Sequence, residues 1–427
     1  MKKKILVFPC GSEIALEVYR SVSKSAHFEL IGASSVDDHG KYVFENYIPD
    51  IPFVTDANFL IKMQRIVAEY HIDAIYPAMD SVIEILKTNE DFIGCKVIAS
   101  EMETTKICLS KTKTYSALKD AVRVPELFKS SDLVKSYPVF TKPDIGYGSR
   151  GAKKCSNKAE LDTQLNSVDN LIICEYLPGD EYTVDCFTDA NGGLLYAAPR
   201  QRCRIMNGIS VNTKPVSDNV EEFTSIASAI NSKIKFRGAW FFQVKRNVNN
   251  ELALLEVASR FGGSSSLFRA RGVNFALMSL YDAFDVSVSI LENEYGVEMD
   301  RALDNKYKID LSYDEVFVDF DDCLYIDKNS VNSELIEFLF RCLNNGIKLT
   351  LLSKHDDEKL GNLNELLQKW RISQIFDRII HVGLDEEKSK YIDNFHSIFI
   401  DDSFSERKKI KENCGINVFS VDMVSCL

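Results

Sequence analysis

Residues 316–324 read VFVDFDDCL, an apolar strand that ends on the carboxylates of Asp319, Asp321 and Asp322. Ending a buried strand on several carboxylates is electrostatically costly unless a cation or a substrate offsets their charge. Residues 398–402 repeat the pattern as IFIDD. Two strands that deliver carboxylates to the same edge of a parallel sheet predict a site for Mg²⁺ and phosphate.

Strands and helices alternate around these two segments. Short apolar runs predict strands over residues 316–319, 348–353, 378–381 and 397–401. Apolar residues that recur with the helical period predict a helix over residues 333–344. Such alternation predicts a parallel sheet covered by helices. We therefore expect the acidic strand ends to lie together at one edge of that sheet.

The order of the acidic pairs, a serine and a lysine resembles the four motifs of the haloacid dehalogenase (HAD) superfamily. These motif residues are Asp319 with Asp321, then Ser353, Lys388, and Asp401 with Asp402. The resemblance covers about residues 314–427 and implies a Rossmann-like phosphatase domain. It implies that Asp319 attacks phosphorus to form an aspartyl phosphate and that Asp321 is the general acid and base. It also implies that Ser353 bonds the phosphoryl oxygens.

The same resemblance implies a lysine that balances the charge of the nucleophile. Lys388 is favoured over Lys390 because it stands four residues before Ile392, as in related sequences. The implied Mg²⁺ ligands are Asp319, Asp321, Asp401 and Asp402, with Asp402 in a supporting position.

One residue departs from the HAD pattern, since Cys323 stands where threonine is usual. The lost hydroxyl supports the site and does not react, so we expect an intact phosphatase; the alternative is a degenerate structural domain. The segment between Asp321 and Ser353 is too short for an inserted cap domain. We therefore expect an open site, with His355 and His381 as loop or surface residues and not as ligands.

The composition is that of a soluble globular chain. Its 427 residues are 45% hydrophobic and 27% charged, enough for about two to four domains. A net charge of −12 without a basic block argues against nucleic-acid and anionic-membrane partners. The 11 cysteines are scattered without Cys-x-x-Cys pairs, which indicates reduced thiols in a cytoplasmic protein. No apolar window is long enough to span a bilayer, and the apolar N-terminal run is interpreted as a first buried strand.

The remaining chain predicts two further domains of different architecture. Residues 1–105 alternate strands and helices, which predicts a parallel α/β domain. Residues 106–300 carry long strands with polar alternation and glycine turns, which predicts an antiparallel α+β domain. Residues 301–313 are polar and lack periodicity, so we interpret them as a linker to the domain over 314–427. The predicted fold class is α/β overall.

Three features of the central domain indicate nucleotide chemistry. Lys142 lies on a predicted strand before the glycine-rich stretch 146–151, whose backbone amides could cradle phosphates. Residues 173–181 place a Pro-Gly turn between two strands and acidic side chains beside it. A predicted hairpin puts Gln243 and Glu256 on one face, as oxygen ligands suited to Mg²⁺. Each feature alone is also compatible with an ordinary hairpin.

Taken together, the three features resemble the ATP-grasp superfamily, most closely the branch of carbamoyl phosphate synthetase and the purine-pathway carboxylate ligases. The resemblance covers roughly residues 1–300. It implies that Gln243 and Glu256 bind Mg²⁺ and that Arg260 is the catalytic arginine. The implied ATP-binding residues are Lys111, Lys142, Gly146, Gly148, Ser149, Glu175, Leu177, Glu181, Arg202 and Arg204. Ala258 stands where the family usually has a metal-binding asparagine, which weakens a two-metal geometry.

The implied reaction uses ATP and Mg²⁺ to activate a carboxylate as an acyl phosphate, which an amine then converts to an amide. The fused HAD-like domain implies a phosphatase in the same pathway. Two alternatives stay open at this point: a small-molecule kinase with a regulatory or editing HAD domain, and a nucleotide-binding scaffold with an inactive site. The expected partners are a small carboxylate and a small amine, and by analogy a second copy of the chain in a homodimer.

Overall fold

The computed structural model describes residues 2–146, 148, 150–293, 295–302, 307 and 309–427, apart from the side chain of Cys426. The chain divides into two compact units, Met1–Asp304 and Asn305–Leu427. The division falls within the segment that the sequence predicts as a linker.

The first unit begins with a five-stranded sheet in which every neighbouring pair is parallel. In sheet order its strands are Asn46–Ile48, Phe28–Ala33, Lys3–Phe8, Ala74–Pro77 and Lys96–Val97. The accompanying helices are Glu13–Val22, Phe59–Tyr70, Asp80–Thr88 and Glu90–Ile93, with a 3₁₀ turn at His39–Tyr42. Ile5 and Val7 pack in one core cluster and Leu6 and Phe8 in another, so the central strand is buried on both faces.

Two antiparallel sheets form the rest of the first unit. The six-stranded sheet runs, in sheet order, Leu252–Ala258, Gly238–Arg246, Glu181–Thr188, Leu194–Met206, Ile209–Pro215 and Met299–Asp300. The four-stranded sheet runs Leu127–Phe128, Leu171–Glu175, Val139–Pro143 and Lys153–Cys155. The helices are Met102–Leu109, Lys111–Leu118, Lys158–Ser167, Val220–Lys233, Ser266–Ala270 and Phe275–Ala283, with a 3₁₀ turn at Ser131–Leu133.

The register of the six-stranded sheet decides which side chains share a face. Thr183 is opposite Gln243, and Gln243 is opposite Glu256. Their neighbours Val184 and Phe242 belong to an apolar cluster that includes residues of the helix Val220–Lys233. Because strand side chains alternate between faces, one face of this sheet is covered by a helix and the other carries polar groups.

The second unit contains a five-stranded sheet with all neighbouring pairs parallel. In sheet order its strands are Arg378–His381, Lys348–Ser353, Glu315–Val318, Ser397–Ile400 and Asn417–Phe419. Its helices are Ser333–Asn344, Asp357–Leu360, Leu363–Lys369 and Phe404–Cys414, with 3₁₀ turns at Ser373–Ile375, Lys388–Tyr391 and Val421–Cys426. A small antiparallel hairpin joins Tyr325–Ile326 to Ser330–Val331.

The register of this sheet places its acidic residues together. Val318 pairs with Leu351 on one side and with Ile400 on the other. Asp319 and Asp401 therefore leave the sheet at the same edge, at the ends of adjacent parallel strands. This position at the carboxyl ends of the strands is where open α/β sheets bind ligands.

The cysteines of the described residues are free, and Cys174, Cys186 and Cys342 are buried, as expected for reduced core thiols. Within the described part of the chain, no helix combines the length and the apolar character needed to cross a bilayer.

Candidate active sites

A cleft in the first unit is lined by strands of both antiparallel sheets and by the loop that carries Gly146 and Gly148. Ten of the residues assigned from the sequence to ATP or Mg²⁺ surround it. They are Lys111, Lys142, Gly146, Gly148, Glu175, Leu177, Glu181, Arg202, Gln243 and Glu256. These residues span about 145 positions of the chain, and the fold gathers them around one space.

Two lysines supply positive charge to this cleft. Lys142 is buried, and its Nζ donates to the hydroxyl of Tyr115 at 2.8 Å and to the carbonyl oxygen of Leu255 at 2.9 Å. The pKa of Lys142 is lowered by burial, and the charge of the Glu256 carboxylate offsets only part of this shift. Lys111 Nζ donates to the carbonyl oxygens of Asp144 and Gly146 at 3.3 and 3.4 Å. Both ammonium groups therefore bond neutral oxygens and keep charge available for an anionic ligand.

The proposed metal ligands Gln243 and Glu256 lie opposite each other on adjacent antiparallel strands. Glu256 lines the same cleft as Lys142 and Arg202 and the same cavity as Arg260. Burial lowers the pKa of Lys142 and of Arg202, and the negative charge of Glu256 offsets part of that shift. A carboxylate and an amide oxygen are ligands that Mg²⁺ accepts when phosphate oxygens and water complete the octahedron. The donor set therefore fits a magnesium ion shared with nucleotide phosphates.

Three further residues that the resemblance assigns to ATP binding, Glu175, Leu177 and Glu181, also line the cleft. Leu177 is buried there, and Glu175 receives hydrogen bonds of 2.9 and 3.1 Å from the guanidinium of Arg123. Glu181 lies 2.8 Å from Arg202 Nε and 3.4 Å from Lys245 Nζ. The rim thus alternates apolar surface with paired charges, as expected of a small-molecule cleft.

One described residue assigned to ATP binding, Arg204, does not line the cleft. The strand pairing shifts register between Arg202 and Arg204. As a result the half-exposed side chain of Arg204 pairs with Asp300 at 2.6 Å, away from the cleft lining. Ser149 lies outside the described residues.

Arg260 lines a second cavity that adjoins this cleft and shares Lys111, Gln243 and Glu256 with it. Its Nε and Nη2 each lie 2.8 Å from the carboxylate of Asp80, at the start of the helix Asp80–Thr88. The arginine is therefore fixed at the wall of the cavity by a fork-like pair of charged hydrogen bonds.

Further charged residues of the second cavity were not identified from the sequence. Arg301 lies 2.9 Å from Glu13 and 3.1 Å from the hydroxyl of Ser264. Arg200, also on the wall, is buried with Asp185 as a 2.6 Å ion pair. Arg301 is far along the chain from both Glu13 and Ser264, and Asp185 and Arg200 lie on adjacent strands without a recognisable motif, so no sequence pattern predicted these contacts. The cavity wall therefore carries both arginine and carboxylate groups.

In the second unit, Asp319 and Lys388 form the centre of a buried cluster. Lys388 Nζ lies 2.7 Å from Asp319 Oδ1 and 2.6 Å from Asp401 Oδ2. Burial raises the pKa of Asp319 and Lys388 lowers it, with a net shift upward that the nearby Asp401 reinforces. Ser353 is buried beside Asp319, whereas Lys390 is exposed, so the geometry favours Lys388 over its rival.

The carboxylates of Asp319, Asp401 and Asp402 each place an oxygen within 4.8 Å of the others. Three converging carboxylates of which two are buried fit a hard divalent cation such as Mg²⁺. Asp321 was assigned to the same ligand set, but it is not part of this group. Its carboxylate instead contacts His355 Nδ1 at 2.8 and 2.9 Å.

The expectation that His355 is a loop or surface residue is only half right. It lies in the loop after the strand Lys348–Ser353, yet its side chain is fully buried. Its sequence neighbours Lys354, Asp356 and Asp357 are polar and indicated a solvated loop. His381 ends an edge strand with a side chain that is 41% exposed, as expected. Cys323 is buried, with its sulfur 3.9 Å from the carbonyl oxygen of Ile400.

Comparison with known proteins concerns the first unit. Residues 167–304 match a family model described as ATP-grasp in the biosynthetic pathway with Ter operon. A D-alanine--D-alanine ligase of Thermotoga petrophila is 29% identical over 124 residues, which is 26% of this chain and 41% of that relative. The chain thus spans less than half the length of this relative.

Two solved structures share the fold of the first unit. Biotin carboxylase of Campylobacter jejuni, a β,γ-ATP complex, aligns with a TM-score of 0.58 and 16% identity over 68% of this chain and 72% of its own. An L-amino acid ligase of Bacillus licheniformis aligns with a TM-score of 0.53 and 17% identity over 66% and 74%. Residues 167–304 are therefore similar to an ATP-grasp family, and the first unit shares its fold with these two solved structures.

Proposed function

We propose that the first unit is an ATP-dependent ligase that joins a carboxylate to an amine through an acyl phosphate. We further propose that the second unit is a Mg²⁺-dependent phosphatase of the HAD type that acts in the same pathway. The observation that carries the ligase proposal is the meeting of Lys142, Gln243 and Glu256 in one cleft beside the Arg260 cavity. The names of two similar proteins, a D-alanine--D-alanine ligase and an L-amino acid ligase, favour amide formation.

In the ligase, each group has a separate task. Lys111 and Lys142 would bind the phosphates of ATP, and Gln243 and Glu256 would hold Mg²⁺. The bound carboxylate attacks the γ-phosphorus, the bond to the bridging oxygen breaks, and ADP leaves. The amine then attacks the acyl carbon, and phosphate leaves to give the amide. Arg260, held by Asp80 at the shared wall, would stabilise charge that develops during phosphoryl transfer.

In the phosphatase, Asp319 would attack phosphorus while Asp321 gives a proton to the leaving oxygen. Water then cleaves the aspartyl phosphate, and Asp321 accepts the proton. Lys388 keeps Asp319 paired with a cation, and Ser353 would bond a phosphoryl oxygen. Asp319, Asp401 and Asp402 are the residues that would hold Mg²⁺. In both units the bound ion would neutralise phosphate charge.

The acceptor of the ligase would bind in the second cavity. That cavity carries two cation–carboxylate pairs, Arg260 with Asp80 and Arg301 with Glu13, on the wall beyond the metal ligands. An acceptor that bears both a carboxylate and an amine could bind such a pair, its carboxylate to the arginine and its amine to the acidic side chain. No charge would then be left without a partner, so the electrostatic cost would be low. A kinase acceptor without an amine would have no positive charge to place beside the carboxylates of these pairs. The cavity therefore favours a ligase over a kinase.

The ligase proposal is tested by incubating the full chain with Mg·ATP, a panel of carboxylic acids and hydroxylamine as a general amine. We expect ADP in equal amount to a hydroxamate when a suitable acid is present, since hydroxylamine captures acyl phosphates. The product is identified by mass spectrometry and ADP by an enzyme-linked assay. ADP with a stable phosphorylated acceptor would indicate a kinase instead. Absence of ADP with every acid would indicate a nucleotide-binding scaffold.

A further inference from the structure

His355 of the second unit is a buried titratable side chain that the phosphatase chemistry above does not use. It follows the strand Lys348–Ser353 and precedes the short helix Asp357–Leu360. Its side chain has no exposed surface, whereas the side chain of Asp321 beside it is 25% exposed. A histidine buried directly behind a partly exposed acid needs a physical reason, because burying an imidazole without partners is unfavourable.

Both nitrogens of this imidazole have partners. Nε2 lies 2.6 Å from the carbonyl oxygen of Gly361. Nδ1 lies 2.9 and 2.8 Å from the two carboxylate oxygens of Asp321. The ring also meets the edge of Phe320 at 5.6 Å and an angle of 79°. The orientation of the imidazole is therefore fixed on three sides.

The partner of Nε2 decides how the histidine meets Asp321. A carbonyl oxygen can only accept, so Nε2 must carry a hydrogen. The contact between Nδ1 and Asp321 then contains a second hydrogen, held by one of these two groups. The other charged group nearby, Asp357, lies 3.8 Å from Nε2 and does not replace the carbonyl of Gly361. The carbonyl oxygen of His355 accepts from His381 Nε2 at 2.7 Å, which holds the loop itself.

We propose that His355 is a positioning residue for Asp321, which holds this carboxyl group in the orientation needed to protonate the leaving oxygen. The proposal rests on the phosphatase function proposed for the second unit. In the first half-reaction, a bond forms between Asp319 and phosphorus, the bond from phosphorus to the leaving oxygen breaks, and the proton of Asp321 passes to that oxygen. In the second half-reaction, water attacks phosphorus, Asp319 leaves, and Asp321 takes the proton of water.

The role of a general acid depends on the leaving group, and this gives the proposal a specific readout. An alkoxide is a poor leaving group and needs the proton of Asp321, whereas 4-nitrophenolate is a stable anion and departs without it. Loss of the positioning residue should therefore impair alkyl phosphates much more than 4-nitrophenyl phosphate. A purely structural role would lower the active fraction of the enzyme and would reduce both rates by the same factor.

The test compares His355→Phe, which keeps an aromatic ring, with His355→Asn, which keeps a side-chain N–H donor. For His355→Phe we expect kcat/KM, which reports the first half-reaction alone, to fall by about 10²-fold for glycerol 3-phosphate, the lower range for general acid catalysis, and several-fold at most for 4-nitrophenyl phosphate. His355→Asn should recover part of the loss, and KM should change little. His396→Phe, at an exposed histidine of the same unit, is the matched control.

The ratio of the two rates keeps the test valid even where a variant folds poorly, because an unfolded fraction lowers both rates equally. In addition, His355→Phe should cause no further loss in an Asp321→Asn background if both residues act in one step. Equal losses on the two substrates, or no loss on either, would overturn the positioning role. A parent protein that hydrolyses neither substrate would instead refute the phosphatase itself, and the positioning role with it.

Discussion

Replacing Glu256 by glutamine is expected to lower ATP-dependent amide formation by the full chain by about 10²- to 10³-fold, the usual cost of removing one electrostatic stabiliser of a transition state. The side chain keeps its shape and one oxygen, but it loses the only negative charge of the proposed Gln243–Glu256 pair. Magnesium would then be held by two neutral amide oxygens and by phosphate. We therefore also expect the Mg²⁺ concentration needed for half-maximal turnover to rise.

The measurement is ADP release at saturating ATP and acceptor across a titration of Mg²⁺. Glu221→Gln provides the matched control, since Glu221 lies exposed on the helix Val220–Lys233 of the same unit. Glu256 also shares the cleft wall with Lys142 and Arg202 and the cavity wall with Arg260, so thermal unfolding of the variant shows whether the cleft still folds. Unchanged turnover and unchanged Mg²⁺ dependence in Glu256→Gln would rule out this metal assignment.

The second large effect is expected for Asp319→Asn, which should abolish phosphomonoester hydrolysis and leave ATP consumption largely intact. An amide cannot form the proposed aspartyl phosphate, so the loss should exceed any effect of altered binding. Lys388 would keep Asp401 as its partner at 2.6 Å, and the remaining ion pair should preserve the fold of the cluster. The two activities should separate because the residues assigned to each lie in different compact units.

This prediction is checked by measuring phosphate release from 4-nitrophenyl phosphate and ADP release from ATP on the same preparation. Asp385→Asn, at an exposed aspartate in the loop before Lys388, is the control for a general change of charge. Hydrolysis by Asp319→Asn at the parent rate would show that another residue, or another protein in the preparation, is the nucleophile.

Much of the fold follows from patterns that act over short distances. The predicted helix over residues 333–344 is confirmed as Ser333–Asn344, because its apolar residues repeat with the helical period and Asn332 caps its first turn. The strand Lys348–Ser353 is confirmed for a similar reason, since an apolar run of this length between polar residues packs well inside a parallel sheet. The acidic strand ends were predictable because adjacent parallel strands end at one edge.

Other features depend on contacts that the sequence does not encode locally. The strand Leu194–Met206 is unusually long, because the charged run around Arg202 pairs with Ile209–Pro215 instead of entering a loop. The register shift within that hairpin places the side chains of Arg202 and Arg204 in different surroundings, and no local sequence pattern predicts the shift. Arg260 and Asp80 form their ion pair across 180 positions of the chain.

His355 shows why a candidate site is harder to predict than a fold. Its polar neighbours indicate a surface loop, and no spacing relates it to Asp321, 34 positions earlier. Burial arises because the loop after Ser353 turns the imidazole toward Phe320 and the carbonyl of Gly361. Such a partnership becomes visible only when three separate segments have been placed.

The central claim is that this chain carries two separate phosphate-handling centres, one in each unit. A crystal structure of the full chain grown with Mg²⁺, ADP and beryllium fluoride tests it most directly. The account predicts ADP in the cleft beside Lys142, with a metal ion at Gln243 and Glu256, and beryllium fluoride attached to Asp319 with a second metal ion at Asp401. Nucleotide bound away from that cleft would contradict the account. So would an unmodified Asp319 together with no metal ion at Asp319, Asp401 and Asp402.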